Sequence, residues 1–206
     1  MNESLRRRWN QVKELAPILA QPSAWRALAT WKPFSITAYR MTRALKVLVP
    51  SLRTIIDVGA NEGQFSRAMT ETYPGASVIS FEPLPGVGQT LEDNLDDAGR
   101  VRVDRRAVGA SNGTLSFNRY EYSLQSSVLP RLDDDPHDPS NTDSGETIDV
   151  PVTRLDSALS SGDLDPPTLL KLDVQGYELE VLAGATDLLP HIEYILVETA
   201  FQQMYA

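Results

Sequence analysis

The chain contains no cysteine, which excludes disulfides, thiolate nucleophiles and cysteine-ligated zinc, and is in keeping with a cytoplasmic protein. It also lacks any run approaching the roughly 18 apolar residues of a membrane span. The cluster RRRW near the start resembles the charged part of a secretion signal. The segment after it, however, is broken by Lys13, Glu14, Pro17 and Pro22 and has no continuous apolar core. Histidine is scarce. His137 lies in DDDPHDP, which lacks the central glycine of an EF-hand loop, and reads as part of a solvated flexible loop rather than a metal ligand. His191 stands at the opening end of a predicted strand and takes no catalytic role.

What is present fits one α/β domain with an appendage: 206 residues, 41% apolar and 23% charged. Charge is divided unevenly. Residues 1–53 carry ten Lys/Arg against two Glu, a net +8, and the remainder nine against 26 Asp/Glu, a net −17. The acidic part would repel a phosphate backbone, so nucleic acid is not an expected partner. Residues 1–50 read as a basic N-terminal helical cap, with apolar residues at helical spacing (Trp25, Leu28, Ala29, then Ile36, Tyr39, Leu45 and Leu48) punctuated by Pro33 and Pro50. Such a cap lays its apolar stripe on the main domain; the alternative is a peripheral foot on an anionic membrane or a polyphosphate.

From residue 51 to 206 the rhythm is strand–helix. TIIDVGA (54–60), ASVISFEP (76–83), VRVDRRAV (101–108), PTLLKLDVQG (167–176) and IEYILVETA (192–200) read as buried strands, with helices over 64–73, 86–98 and 177–189. Uniformly apolar strands in β-α-β order predict a Rossmann-like, doubly wound, mostly parallel sheet. TLSFNRY and TIDVPVTRL alternate instead, and predict an antiparallel insertion around an acidic loop.

The first strand runs into DVGANEG, the turn that usually cradles a ligand in such sheets. No Lys follows Gly63, as a triphosphate-binding loop needs. A dinucleotide loop needs a glycine where Asn61 stands, and Glu62 would repel a pyrophosphate. A nucleoside cofactor with a cationic end, S-adenosylmethionine, fits Asp57 and this acidic loop better. Glu82, at the end of SFEP, suits the two ribose hydroxyls of an adenosine, although it would serve an NAD ribose equally. A metal at Asp173 is disfavoured because no acidic pair stands beside it. Lys171 in an apolar strand requires a partner, and an internal salt bridge near the strand end is the expected one.

Taken in order, DVGANEGQF, SFEP, RRAVG, SSVL, VTRLDS and LLKLDVQGYELEVLAGA closely resemble the FkbM-type S-adenosylmethionine-dependent methyltransferases over residues 54–205. The resemblance implies a class I methyltransferase fold and methyl transfer to a hydroxyl of a sugar, glycan or natural product. Carried over by motif, Asp57, Gly59, Asn61 and Gly63 line the methionine end of the cofactor and Glu82 holds its ribose. Asp104, Ala107 and Val108 flank the adenine, while Asp173 faces the methyl group as first candidate base, with Glu198 second. Ser126, Ser127 and Gln175 are assigned to the acceptor. The family continues past the position of Tyr205 with a helix and two further strands. The resemblance therefore also implies a sheet whose last two strands lie outside this sequence, with an exposed edge inviting association. Against the enzyme stand a non-catalytic cofactor- or partner-binding remnant and, more weakly, an NAD-dependent oxidoreductase.

Overall fold

The structure is a computed structural model, describing residues 22–95, 100–119 and 146–198. Two helices open it, α1 (Pro22–Thr30) and α2 (Ile36–Leu48). They are followed by β1 (Thr54–Val58), α3 (Gln64–Thr72), β2 (Ser77–Phe81), α4 (Pro85–Leu95) and β3 (Val101–Asp104). A smaller group follows, β4 (Ala107–Val108), β5 (Gly113–Arg119), β6 (Glu146–Thr153) and α5 (Leu155–Ala158), before β7 (Thr168–Leu172), α6 (Glu178–Ala183) and β8 (Tyr194–Val197).

The main sheet is parallel throughout, in the order β3-β2-β1-β7-β8. The chain winds outward from β1 to β3 and then resumes on β1's other side with β7, which makes the Rossmann-like reversal expected from the strand pattern. Strand alternation shows why these segments read as solid apolar runs. Ile56, Val58, Leu170 and Leu172 face one core with Val181 and Leu188, while Ile55 and Leu169 face another with Phe65, Met69 and Tyr73. With both faces covered, β1 and β7 are buried at every position.

The two N-terminal helices pack against α3, and α1 does so through a face other than its bulky apolar one. Ala24, Ala27 and Trp31 pack with Ala38, Tyr39 and Ala68, whereas Trp25 and Leu28 remain 59% and 42% exposed. Small residues let α1 approach closely; the bulky ones that mark the helical spacing point away. Leu48 is likewise exposed, while Tyr39 is buried. Polar ties complete the docking. The buried Arg67 donates to the carbonyls of Lys32 (3.2 Å) and Asn94 (2.5 Å), and Tyr73 donates its hydroxyl to Val49 O at 2.7 Å.

Two elements end sooner than their sequence pattern suggests. Residues 101–108 do not form one strand: Asp104 accepts from the backbone N–H of Arg106 at 3.1 Å, a side-chain turn that diverts the chain into a second sheet, β4-β6-β5. In that sheet β5 and β6 pair antiparallel, as predicted, and β4 joins β6 in parallel. The last helix stops at Ala183. Beyond it the N–H groups of Asp187 and Leu188 turn to the carboxylate of Asp156.

Gly184 terminates α6 where two backbones touch, since a Cβ there would stand 2.0 Å from Gly109 O. Gly184→Ala is expected to cost about 3 kcal/mol in denaturant unfolding because backbone, not a flexible side chain, must yield. Gly75→Ala, with open space around its Cβ, should stay within about 0.5 kcal/mol of the parent.

Candidate active site

The site grows out of one row of residues. The backbone ladder extends one step beyond the strand ends, with Gly59 N–H donating to Phe81 O, Glu82 to Asp104 O, Asp173 to Val58 O and Glu198 to Leu172 O, all at 3.0–3.1 Å. The first residues after β1, β2, β7 and β8 therefore stand side by side at the carboxyl edge of the sheet. Three of the four are acidic, and the fourth is a glycine at the point where strand order reverses.

Gly59 lies at φ +78°, and a Cβ there would be 2.0 Å from Asp173 O. Close approach of two loops, rather than of a loop to a ligand, dictates this glycine. Gly63, at φ +92°, caps α3, and a side chain there would strike Leu91 at 2.8 Å. Asn61, at φ +49°, takes the left-handed turn between them. The loop's own amides are consumed internally. Gly59 and Ala60 N–H donate to Phe81 O, Asn61 N–H to Glu82, Glu62 N–H to the Asn61 side chain and Gly63 N–H to Ala60 O.

A cavity of about 540 Å³ opens over this edge. Of the residues proposed for it, Gly59, Asn61, Glu82, Ala107, Val108, Asp173, Gln175 and Glu198 line it. Asp57, Gly63 and Asp104 do not. Asp57 is fully buried two residues before the tip residue Gly59, Gly63 is turned into the α4 contact, and Asp104 spends its carboxylate on the Arg106 guanidinium at 2.5–2.8 Å. Ser126 and Ser127 lie outside the described residues, as does His137. The sequence pattern did not point to Phe34, Thr37 and Met41 of the cap, nor to Phe117 and Tyr177, all of which border the cavity. Phe34 lies in the connector before α2, Thr37 and Met41 lie on α2 itself, and none falls in a motif that would have marked it.

Beneath the row, Ser80, Asp57 and Lys171 are register neighbours across three strands. The Ser66 hydroxyl of α3 donates to Asp57 Oδ2 at 2.6 Å and contacts Ser80 at 2.8 Å. Lys171 Nζ lies 3.0 Å from Asp57 Oδ1, 3.2 Å from Asp173 Oδ2 and 3.0 Å from Gly59 O. Asp57 Oδ1 has no donor in hydrogen-bond geometry and relies on the ammonium's charge. Burial opposes that charge, but Asp57 and then Asp173 outweigh it and raise the lysine above its ordinary value. The internal salt bridge expected for Lys171 is thus a bridge to two carboxylates.

Glu82 is also buried. Its oxygens accept from Asn61 N–H (3.0 Å) and Leu84 N–H (3.1 Å), yet burial dominates and pushes its pKa up to about 7. Glu198 is more open; the charge of Asp173 first, then burial, raises its pKa, and Lys171 pulls the other way. Among the described residues no cluster of three or more His, Cys, Asp or Glu could hold a metal ion, and no helix is long and apolar enough to cross a membrane.

Fold and site together define a Rossmann-like α/β domain with an acidic cleft at its switch point. The methyltransferase FkbM domain matches residues 57–206, and the chain belongs to that family. It is 28% identical to the 2-O-methyltransferase NoeI of Sinorhizobium fredii over 73% of this chain and 65% of that protein. It is 31% identical to the hexuronic acid methyltransferase AglP of Haloferax volcanii over 69% of this chain and 54% of AglP. With the 31-O-demethyl-FK506 methyltransferase FkbM of Streptomyces tacrolimicus it shares 30% identity, over 70% and 64% respectively. The chain spans somewhat more than half the length of these curated relatives.

Two outcomes are expected. Glu82 has a folded pKa above its ordinary 4.5, so its stabilising contribution is complete below about 4.5 and is lost as pH rises through about 7. Over that interval ligand-free stability should fall by about 3 kcal/mol in urea titrations, a decline absent from Glu82→Gln. Lys171→Met leaves Asp57 buried without its cation and should cost about 3–5 kcal/mol, measured at the urea midpoint; Asp57→Asn in that background should restore part of it.

Proposed function

We propose that this chain is an S-adenosylmethionine-dependent O-methyltransferase acting on a hydroxyl of a sugar, glycan or natural product. The observation that carries this reading is the tip row: an adenosine-suited carboxylate, a close-packed glycine and two further carboxylates in one cleft. Its relatives' names point the same way, since NoeI is a 2-O-methyltransferase and AglP a hexuronic acid methyltransferase.

The residues present fit the cofactor. Glu82 is held by two backbone donors, one on each oxygen, and borders the cavity, a setting suited to accepting from two ribose hydroxyls. Acidic groups outnumber cations around the cleft, because Lys171 and Arg106 are already paired with Asp57, Asp173 and Asp104, and a ligand bearing positive charge is favoured. A pyrophosphate is not. The five N–H groups from Gly59 to Gly63 that a dinucleotide would need are engaged within the protein, which removes support from the oxidoreductase alternative.

When bound, the cofactor supplies a methyl group activated by positive sulfur. What falls to the protein is positioning: Glu82 anchors the nucleoside, Gly59 and Asn61 shape the floor, and Asp173, Gln175, Tyr177 and Glu198 border the space for an acceptor hydroxyl.

Calorimetric titration tests the reading. S-adenosylhomocysteine should bind saturably and NAD should not. Glu82→Ala should weaken the former by about 30-fold or more, since charge-assisted hydrogen bonds are lost. A folded chain that binds NAD and not S-adenosylhomocysteine would refute the assignment.

A further inference from the structure

Methyl transfer to a hydroxyl releases a proton, and the cleft offers two carboxylates to receive it. They are not equivalent. Asp173 has both oxygens occupied: Oδ2 by the Lys171 ammonium at 3.2 Å, and Oδ1 by the Gln175 side-chain amide at 3.0 Å. Gln175 makes that contact from a left-handed backbone, φ +55°, a conformation glutamine seldom adopts, so the turn after β7 holds the amide on Asp173. Lys171 in turn donates to Gly59 O and lies within 3.2 Å of both Asp57 and Asp173, so its charge is already engaged within the protein.

Glu198 stands next to Asp173 in the tip row and lines the same cavity. It is exposed, which gives a captured proton a route to water.

We infer that Glu198, not Asp173, takes the acceptor's proton, and that Lys171 and Gln175 fix Asp173 as a standing negative charge beside it. This rests on the methyl-transfer reading above and reverses the order of candidates that the motif suggested. In the step, the acceptor oxygen forms a bond to the methyl carbon while the carbon–sulfur bond breaks and leaves its electron pair on sulfur. The hydroxyl proton passes to the Glu198 carboxylate. One positive and one negative charge disappear together, so the cleft ends the step no more charged than it began. Asp173 then acts as a positioning residue: its charge makes Glu198 a better base, consistent with the upward shift of the Glu198 pKa. The groups that set this value are Asp173 just after β7, Lys171 on β7 and Glu178 on α6. Asp57 lies behind Lys171 and Glu82 stands farther along the row, while the cap contributes only uncharged residues such as Thr37 and Met41.

Carboxyl NMR decides the matter without an acceptor. In the chain labelled at glutamate carboxyl carbons, the resonance lost in Glu198→Gln should titrate at higher pH than those of exposed glutamates. In Asp173→Asn it should move down toward them. With hexuronic acid oligosaccharides as acceptors, Glu198→Gln should lower kcat by about 100-fold or more while S-adenosylhomocysteine affinity stays within about twofold. Asp173→Asn should keep measurable turnover, with the rising limb of its pH profile displaced to lower pH. A Glu198 resonance that titrates with the exposed glutamates, or is unmoved by Asp173→Asn, would overturn the inference. So would parent-level turnover in Glu198→Gln. Failure of the parent to bind S-adenosylhomocysteine would instead strike the methyl-donor reading itself.

Discussion

One ammonium group ties the cleft together. Lys171 lies in register with Asp57 on the neighbouring strand, and its Nζ reaches forward to Asp173 and Gly59 at the sheet's edge. A buried lysine is costly alone and a buried aspartate equally so; set 3.0 Å apart across two central strands, each relieves the other. The contact couples the sheet's interior to its tip. Because β1 and β7 flank the point where strand order reverses, the same charge that neutralises Asp57 below also fixes Asp173 above. Neither carboxylate could hold its place if the two strands slipped by a residue.

The glycines serve that coupling as well. Gly59 allows the loop after β1 to lie against the Asp173 carbonyl, and Gly63 allows α3 to begin against α4. With its five N–H groups engaged within the protein, the loop offers no nest of donors. Such a loop lacks the free amides that a phosphate would need. Selectivity between cofactor classes thus follows from hydrogen bonds that the loop makes to the protein and not to any ligand.

How much of this was legible beforehand depends on whether a residue acts through its neighbours in sequence or in space. The parallel strands announced themselves because both faces are buried, and Glu82, Asp173 and Glu198 could be found because each is the first residue beyond an apolar run. Lys171 was marked by its apolar setting. Asp57 and Gly63 belong to the conspicuous loop yet stand behind the cavity, since alternation sends Asp57 toward Ser66 and the cap of α3 carries Gly63 toward Leu91. The break after Asp104 turns on a side chain bonding two residues ahead, which apolar patterning does not register. In α1, alanines make the contact while the more conspicuous tryptophan faces water, because a tight helix approach rewards the absence of volume.

The cavity has walls of two origins. Its floor and its acidic row fall within the stretch that matches the family, residues 57–206, but Phe34, Ser35, Thr37, Ala38 and Met41 come from the cap that precedes it. The acidic row and part of the cavity's enclosure are therefore encoded in separate blocks of the chain. A change at Phe34 or Ser35, in the connector between α1 and α2, would alter the cavity wall at positions that belong to no strand.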